Sequence, residues 1–346
     1  MNDYPNYIKQ NLSSIIDVMA KNTAPFVKNP EKDFSRNRKL PFDKVIHLLI
    51  SLGGNSIYRG LLESQGYNLD TVTASAFIQQ RDKILPHAFE FLLNSFTNSF
   101  LVTKKYRNYR LLAVDGSALR IARNPNHPDT YFKNQAGGKG FNMLHLNVLY
   151  DLCNKIYVDA LVQPRRRMNE NVALIEMINR SSITDNTILT ADRGFECFNN
   201  FAHIIEKGWN YLIRVKDINS NGILSAFPLP STDEFDISIQ RTLTRKHDNK
   251  EIDDHPDIYK VLPSRAKFDL FDDNGFYPIS FRIVRFKITD DSYETVITNL
   301  NQSDFPPDEL REIYNIRWKI LSAVFCYAHL FVRWVGNSNN EIKRCA

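Results

Sequence analysis

RLLAVDGS, residues 110–117, places four consecutive apolar residues, Leu111 to Val114, directly before Asp115 and Gly116. A short, wholly apolar run bounded by turn residues predicts a strand that is buried on both faces of a sheet. A carboxylate that follows such a strand should lie at the rim of the sheet, where water and ligands can reach it. We therefore take Asp115 as a candidate functional residue.

A second stretch, TILTADRG at residues 187–194, repeats this pattern and places Asp192 after the apolar run. Two strands that each lead into an aspartate could bring two carboxylates together at one edge of a sheet. Each aspartate alone has a simpler interpretation, because Asp-Gly is a common turn and Asp before a helix is a common cap. The remainder of the chain has to decide between these interpretations.

The amino-acid composition is that of a globular protein with a mild excess of positive charge. The 346 residues are 43% hydrophobic and 24% charged, as in globular proteins, and 44 Lys and Arg against 39 Asp and Glu give a net charge of +5. This mild excess permits a polyanionic partner without requiring one. Basic residues cluster ahead of the first Asp strand and at Arg165–Arg167, and a solvated face explains each cluster equally well.

Several kinds of site are not indicated by the sequence. The four cysteines form no CxxC pair and the histidines show no ligand spacing, so neither a zinc site nor a disulfide framework is expected, and a reducing cytoplasm fits. The longest apolar stretch, residues 320–335, is interrupted by Ser322, His329 and Arg333 and is shorter than the roughly 20 residues of a membrane span. No membrane partner is predicted.

The predicted elements indicate four regions. Residues 1–105 read as short helices, which suits either a DNA-binding module or a plain helical bundle. The basic residues predicted to be exposed there are Arg36, Arg38, Lys39, Arg81 and Lys83. Residues 106–216 predict three strands followed by helix, strand, helix and strand, the order of a ribonuclease-H-like α/β fold with helices on both faces of a mixed sheet. Residues 217–300 predict a β-rich insertion, and residues 301–346 a helix that closes the core with a tail.

Seven stretches carry a resemblance to a known family. They are RNRKLPF (36–42), AVDGS (113–117), NHPDTYF (126–132), LYDLCNKIYVDA (149–160), TADRGFE (190–196), GWNYLIRVKD (208–217) and YNIRWKI (314–320). In this order they resemble the DDE transposases of bacterial insertion sequences, specifically the insertion-sequence-four family, over residues 1–320. The resemblance implies an enzyme that cuts and joins DNA at the ends of a mobile element, in the bacterial cytoplasm at the nucleoid.

The resemblance also implies the site. Asp115 and Asp192 correspond to the first two catalytic acids and metal ligands, and the implied cofactor is Mg²⁺, with Mn²⁺ as a substitute. Tyr314 and Arg317 belong to a matched helix signature and Arg193 adjoins Asp192, so all three are predicted to bind DNA. Helix packing for Tyr314 and simple solvation for Arg193 remain alternatives. The implied partner is double-stranded DNA, terminal repeats and target, with a homodimer as one arrangement in the complex.

The chemistry explains the need for acids. Attack on a phosphodiester requires an activated water or 3′-hydroxyl and neutralisation of the leaving oxygen, which two Mg²⁺ ions about 3.5–4 Å apart can supply. Mg²⁺ prefers carboxylate and phosphate oxygens. Carboxylates crowded together without a cation repel each other, and one tends to stay protonated.

The third acid of the family signature is absent, because its position holds Leu321 and the signature's Lys position holds Ala328. The resemblance ends after Ile320, which predicts a truncated or frameshifted copy that binds metal through two acids at most and is catalytically impaired. Glu312 lies nine residues before position 321 and points to roughly the opposite face of the helix. Glu309 lies twelve residues before it, more than three turns away, so neither is expected to substitute. Two alternatives remain: a non-catalytic DNA-binding remnant that competes with intact copies, and a different metal-dependent nuclease that uses Glu196.

Overall fold

A ten-stranded mixed sheet runs through the centre of the molecule, with helices packed on it. The computed structural model describes residues 4–36, 38–52, 56–100, 103–134, 137–218, 220–247, 250–290 and 292–317. Position 321 and the predicted C-terminal tail lie outside the described residues, as does the sequence Gly53-Gly54-Asn55, which predicts the end of a helix.

The described part of residues 1–105 is largely helical, as predicted. The helices are α1 (Tyr4–Lys21), α2 (Phe42–Ser51), α3 (Ile57–Ser64), α4 (Ala74–Arg81) and α5 (His87–Asn98). They share an apolar core of their own to which Ile16, Phe42, Leu61, Phe77 and Leu92 contribute. The prediction that Arg81 is exposed was wrong: it is 6% exposed, because its face of α4 turns into this bundle, and it pairs with Asp82 at 3.2 Å.

The α/β part begins at residue 110. Its first half comprises β1 (Arg110–Ile121), β2 (Tyr131–Phe132), β3 (Phe141–Asp151), β4 (Ile156–Pro164), α6 (Glu170–Arg180), β5 (Thr187–Ala191), α7 (Phe198–Glu206) and β6 (Asn210–Arg214). Its second half comprises β7 (Phe235–Thr244), α8 (Lys250–Asp254), β8 (Tyr259–Val261), β9 (Phe276–Thr289), β10 (Ser292–Thr298) and α9 (Pro307–Arg317).

The strand order confirms the predicted fold class. The order β4-β3-β1-β5-β6 has antiparallel pairing from β4 to β1 and parallel pairing from β1 to β6, which is the ribonuclease-H-like arrangement predicted from the element order. The β-rich insertion continues this sheet, because β10 pairs with β6 and is followed by β9, β7 and β8.

Both faces of the sheet are covered, as the alternation along β1 shows. Leu112 and Val114 belong to the apolar cluster formed with α6 and α7, whereas Leu111 and Ala113 belong to the cluster formed with α9. Successive strand residues point to opposite faces, so a wholly apolar run is what this double coverage requires. The central strands are buried for that reason.

The end of β1 differs from the prediction. The strand does not stop before Asp115 but continues to Ile121, because Asp115, Gly116 and the residues after them pair with β3. What stops there is the pairing with β5, whose last register pair is Ala113 with Thr190. Asp115 therefore lies inside a strand, at the place where its parallel neighbour ends.

Helix α9 is held in place by a buried arginine on β9. Arg282, 5% exposed, binds Asp236 of β7 through two nitrogens and donates to the carbonyl oxygens of Leu300 and Phe305 at 2.9 and 3.1 Å. Those carbonyls belong to the segment that leads into α9. The arginine therefore ties the start of this helix to the sheet.

Arg282→Met is expected to lower the free energy of unfolding by about 3–5 kcal/mol, because it leaves the carboxylate of Asp236, whose side chain is only 10% exposed, without its cation. Urea denaturation followed by circular dichroism measures the change. Arg311→Met is the control: Arg311 pairs with Asp308 on the surface, and such exposed pairs contribute about 0–1 kcal/mol. Equal losses in the two variants would contradict the anchoring role.

Candidate active site

The two predicted acids occupy equivalent positions on neighbouring parallel strands. Asp115 and Asp192 each lie two residues beyond the last register pair of β1 and β5, Ala113 with Thr190. Each carboxylate accepts a backbone hydrogen bond of 2.9 Å, Asp115 from the N–H of Gly116 and Asp192 from that of Gly194. The backbone thus fixes both carboxylates at the same edge of the sheet.

The surroundings of Asp115 disfavour its charge. Burial raises the pKa of the Asp115 carboxyl above its usual value, and the charges of Asp192 and Glu170 act in the same direction. The Gly116 N–H and the Arg317 guanidinium oppose the shift. The Asp115 carboxyl is therefore perturbed both by burial and by nearby charges, a combination that is common at functional sites.

Arg317 is the cation among these nearby charges, and α9 places it next to Asp192. Its Nη2 lies 3.7 Å from Oδ2 of Asp192, and its Nη1 donates to the Tyr314 hydroxyl at 3.4 Å. Arg317 is 3% exposed and Tyr314 is completely buried. The structure thus gives Arg317 a position that neutralises carboxylates, while DNA contacts by Arg317 and Tyr314 stay predictions.

Exposed basic residues surround the same edge. Arg193 opens the short 3-10 helix Arg193–Phe195 directly after Asp192, and its side chain is exposed. The consecutive Arg165–Arg167 follow β4, which runs parallel to β1, so they lie at the carboxyl edge of the sheet as well. Arg166 and Arg167 are exposed. Contact between Arg193 and a phosphate stays a prediction.

Glu170 also lies at this edge of the sheet, although the sequence did not predict it as a site residue. Glu170 is the first residue of α6, after Asn169, whose side chain caps the helix. Its Oε1 lies 2.8 Å from Nε2 of His145 on β3. That contact lowers the pKa of the Glu170 carboxyl against the opposing effect of burial. One feature of the sequence could have pointed to Glu170. Helix α6 follows β4, which runs parallel to β1, so α6 must begin at the edge of the sheet that holds Asp115 and Asp192.

A comparison with known protein families identifies the chain. The family described as the transposase DDE domain matches residues 106–320, more than half of the chain, and this range contains the whole site. The chain belongs to the DDE transposase family. The enzymes of this family cleave DNA, transfer strands and depend on divalent metal ions.

Other comparisons add little to this assignment. No curated protein matches the transposase. Among solved structures, the cryo-EM structure of the piggyBac transposase synaptic complex with hairpin DNA is similar at 10% identity and a TM-score of 0.34. The match covers 97% of this chain and 65% of the piggyBac chain. This chain therefore spans slightly less than two thirds of the length of that protein. None of the described helices is long and apolar enough to cross a membrane.

The donor set of the transposase fits a divalent metal ion in its chemistry. Asp115, Asp192 and Glu170 offer oxygens only, as Mg²⁺ prefers, and a bound cation would favour the ionised form of Asp115, whose pKa is raised chiefly by burial and further by the charges of Asp192 and Glu170. Among the described residues, no three His, Cys, Asp or Glu side chains are already arranged around a metal position. In the described arrangement the carboxylate of Glu170 contacts His145.

The other acids considered from the sequence are engaged elsewhere in the transposase. Glu196 accepts a hydrogen bond of 2.6 Å from the Lys216 N–H, so nothing in the structure favours the nuclease alternative built on it. Glu309 pairs with Arg107 at 2.8 Å and contacts Tyr106. These contacts agree with the expectation that Glu309 does not substitute for the third acid.

Gly116→Ala is expected to destabilise the fold by about 1–3 kcal/mol, the usual cost of overpacking a filled site. A Cβ at Gly116 would lie 2.5 Å from Nε2 of His145 and 2.6 Å from Oε1 of Glu170. Gly194→Ala is the comparator, because its Cβ would meet Asp192 at 3.1 Å, and a smaller loss is expected. Thermal denaturation in EDTA compares the two variants, and an unchanged Gly116→Ala variant would show that the edge is looser than described.

Proposed function

We propose that this transposase cuts DNA at the ends of a mobile element and joins them to a target. Asp115 and Asp192 are its catalytic acids and metal ligands, and Mg²⁺ is the metal, with Mn²⁺ as a substitute. One observation carries the proposal: within the region that matches the family, β1 and β5 bring these two aspartates to equivalent positions at one edge.

Different residues of the site have different proposed roles: metal binding, orientation of a carboxylate and contact with DNA. Asp115 and Asp192 would hold Mg²⁺, which when bound would activate a water or a DNA 3′-hydroxyl as nucleophile and stabilise the charge on the leaving oxygen. Arg317 orients Asp192 from below, since its guanidinium lies 3.7 Å from that carboxylate. Arg193 is exposed beside Asp192 and contacts a DNA phosphate from there. Tyr314 and Arg317, which belong to the matched helix signature, are the other two proposed DNA contacts.

The partner is double-stranded DNA, namely the terminal repeats of the element and the target. The exposed basic residues that support this proposal flank the site or lie on β1 and the segment after it; they are Arg120, Arg123, Arg166, Arg167 and Arg193. Residues 1–105 are a DNA-binding region, 106–216 the first part of the catalytic core, 217–300 the insertion, and 301–346 the closing helix and tail. A homodimer in the DNA complex and a place at the bacterial nucleoid complete the proposal.

The finer family is the insertion-sequence-four family, and this copy is impaired. Leu321 stands where the family signature has its third acid, and the resemblance stops at Ile320. A frameshift or a replaced C-terminus accounts for both features. The nucleotide sequence around codon 321 tests this point: a family-like continuation in another frame is expected, and none in any frame would contradict it.

The loss at position 321 favours a second candidate, a non-catalytic remnant that occupies element ends and inhibits intact copies. The two candidates separate in one pair of assays on DNA carrying the flanking terminal repeats. Weak Mg²⁺-dependent cleavage that Asp115→Asn removes supports an impaired enzyme. Repeat-specific binding without any cleavage supports the remnant, and neither binding nor cleavage would contradict both.

Binding of the terminal-repeat duplex is expected to weaken steeply with salt, because neutralised phosphates release counterions. Arg193→Gln should lower the affinity without changing the preference for repeat sequence, since phosphate contacts carry no sequence information. Gel-shift titrations at two salt concentrations measure both effects. Arg311→Gln, on the exposed side of α9, is the control and should leave the affinity unchanged.

A further inference from the structure

Glu170 reaches over β1 to the place where the two aspartates stand. A Cβ at Gly116 would lie 2.6 Å from its Oε1, and a Cβ at Gly194 would lie 3.7 Å from its Oε2 and 3.1 Å from Oδ1 of Asp192. The carboxylates of Glu170 and Asp192 therefore flank one small volume that two glycines leave free. A larger residue at either glycine would intrude on it.

Glu170 is held towards this volume by a relay of two side chains. Nη1 of Arg165 lies 2.7 Å from Nδ1 of His145, and Arg can only donate a hydrogen bond. Nδ1 must therefore accept, which places the ring proton on Nε2, the nitrogen that faces Oε1 of Glu170 at 2.8 Å. The ring is locked from one side and directed at the carboxylate on the other.

The contact between His145 and Glu170 is close without being a formed hydrogen bond. Nε2 is buried and finds no partner within hydrogen-bond geometry, and the histidine is 2% exposed. The contact is therefore an electrostatic one between the directed N–H and the carboxylate, without the alignment of a good hydrogen bond. The Glu170 carboxylate can turn towards Asp192 without breaking an aligned hydrogen bond to the ring.

We propose that Glu170 is a third carboxylate ligand of the divalent-cation site formed by Asp115 and Asp192, and that His145 and Arg165 position it. This inference rests on the proposed metal-dependent function of those two aspartates. It adds a ligand that lies on α6 and does not depend on the residue at position 321. The chain therefore keeps a three-carboxylate metal site, and the change to Leu321 impairs cleavage more than it impairs metal binding.

A plain structural role for Glu170 makes a different prediction. An acidic residue in the first turn of a helix stabilises that helix through the macrodipole, with or without metal. As a metal ligand, Glu170 affects the response to the ion instead. The two roles are separated by measuring metal affinity and metal-free stability on the same variants.

The test uses the full chain and Mn²⁺ alone, with free Mn²⁺ followed by electron paramagnetic resonance. The variants are Glu170→Gln, Asp115→Asn and the matched control Glu176→Gln, which makes the same change on an exposed turn of α6. Glu170→Gln is expected to weaken Mn²⁺ binding at least tenfold, since even residues behind a ligand contribute 10–100-fold. Glu176→Gln should bind as the unaltered chain does, and the rise in melting temperature on adding Mn²⁺ should shrink only in the first two variants.

The remaining outcomes distinguish a failure of the Glu170 assignment from a failure of the proposed metal-dependent function. If Asp115→Asn loses Mn²⁺ and Glu170→Gln does not, this inference is overturned while the aspartate site stands. If both bind as the unaltered chain does, or the unaltered chain binds no Mn²⁺, the proposed metal-dependent function fails and takes this inference with it. Should Glu170→Gln not fold, Glu170→Asp replaces it: its shorter side chain must also weaken binding, and an unchanged affinity would overturn the assignment.

Discussion

Leu321→Glu is expected to raise Mg²⁺-dependent cleavage of terminal-repeat DNA by at least about a hundredfold, or about 2.7 kcal/mol of activation free energy. Position 321 follows Arg317 by four residues, the spacing of the acid in the family signature that Tyr314 and Arg317 match. An added carboxylate would supply a metal ligand that a leucine cannot. Single-turnover cleavage of a labelled duplex measures the change.

Leu321→Gln is the control for this experiment, because glutamine is similar in size to glutamate and polar but carries no charge. It should leave cleavage near the level of the unaltered chain. If the unaltered chain already cleaves efficiently, or if Leu321→Glu changes nothing while Mn²⁺ still binds, the impairment is not caused by position 321. The altered sequence after Ile320 then becomes the remaining explanation.

Most of the fold could be predicted from the sequence because its elements have strong local signals. The apolar run before Asp115 and the run from Thr187 to Ala191 each indicated the correct element type. The order of the elements then fixed the fold class, since three consecutive strands followed by alternating helices and strands fit few arrangements.

The end of β1 could not be predicted for a physical reason. Asp-Gly is a turn signal in isolation, but here Gly116 and the residues beyond it find hydrogen-bonding partners on β3. Pairing between strands distant in sequence outweighs a local preference. The same non-local pairing carries the insertion into the main sheet through β10, which no local pattern indicated.

The site was predictable in part. The two aspartates could be found because each follows a buried apolar run, and the strand register places them at equivalent positions, two residues beyond the last pair of β1 and β5. Glu170 could not be found this way, since it lies in a helix whose position over β1 depends on the path of the chain after β4. The burial of Arg317 was hidden for the same reason, because the residue it approaches, Asp192, follows β5 and is distant in sequence.

Asp115→Asn and Asp192→Asn are each expected to lower cleavage by the Leu321→Glu chain on the order of 10³-fold or more, about 4 kcal/mol of activation free energy. Either change removes a charged metal ligand and leaves a neutral amide of nearly the same shape. Asp308→Asn on the exposed start of α9 is the control and should cleave normally. Cleavage that survives Asp115→Asn would rule out the proposed site.

Metal-free stability provides a second signature for Asp115. Its pKa is raised in the folded chain, chiefly by burial, so folding disfavours the ionised carboxyl and the charge destabilises the fold at neutral pH. Asp115→Asn should therefore raise the melting temperature in EDTA at pH 7, and this gain should vanish as the pH falls below the ordinary Asp pKa and both states bind the proton. A residue kept for packing would show a loss instead. A variant that gains stability while losing cleavage is what a charge retained for catalysis predicts.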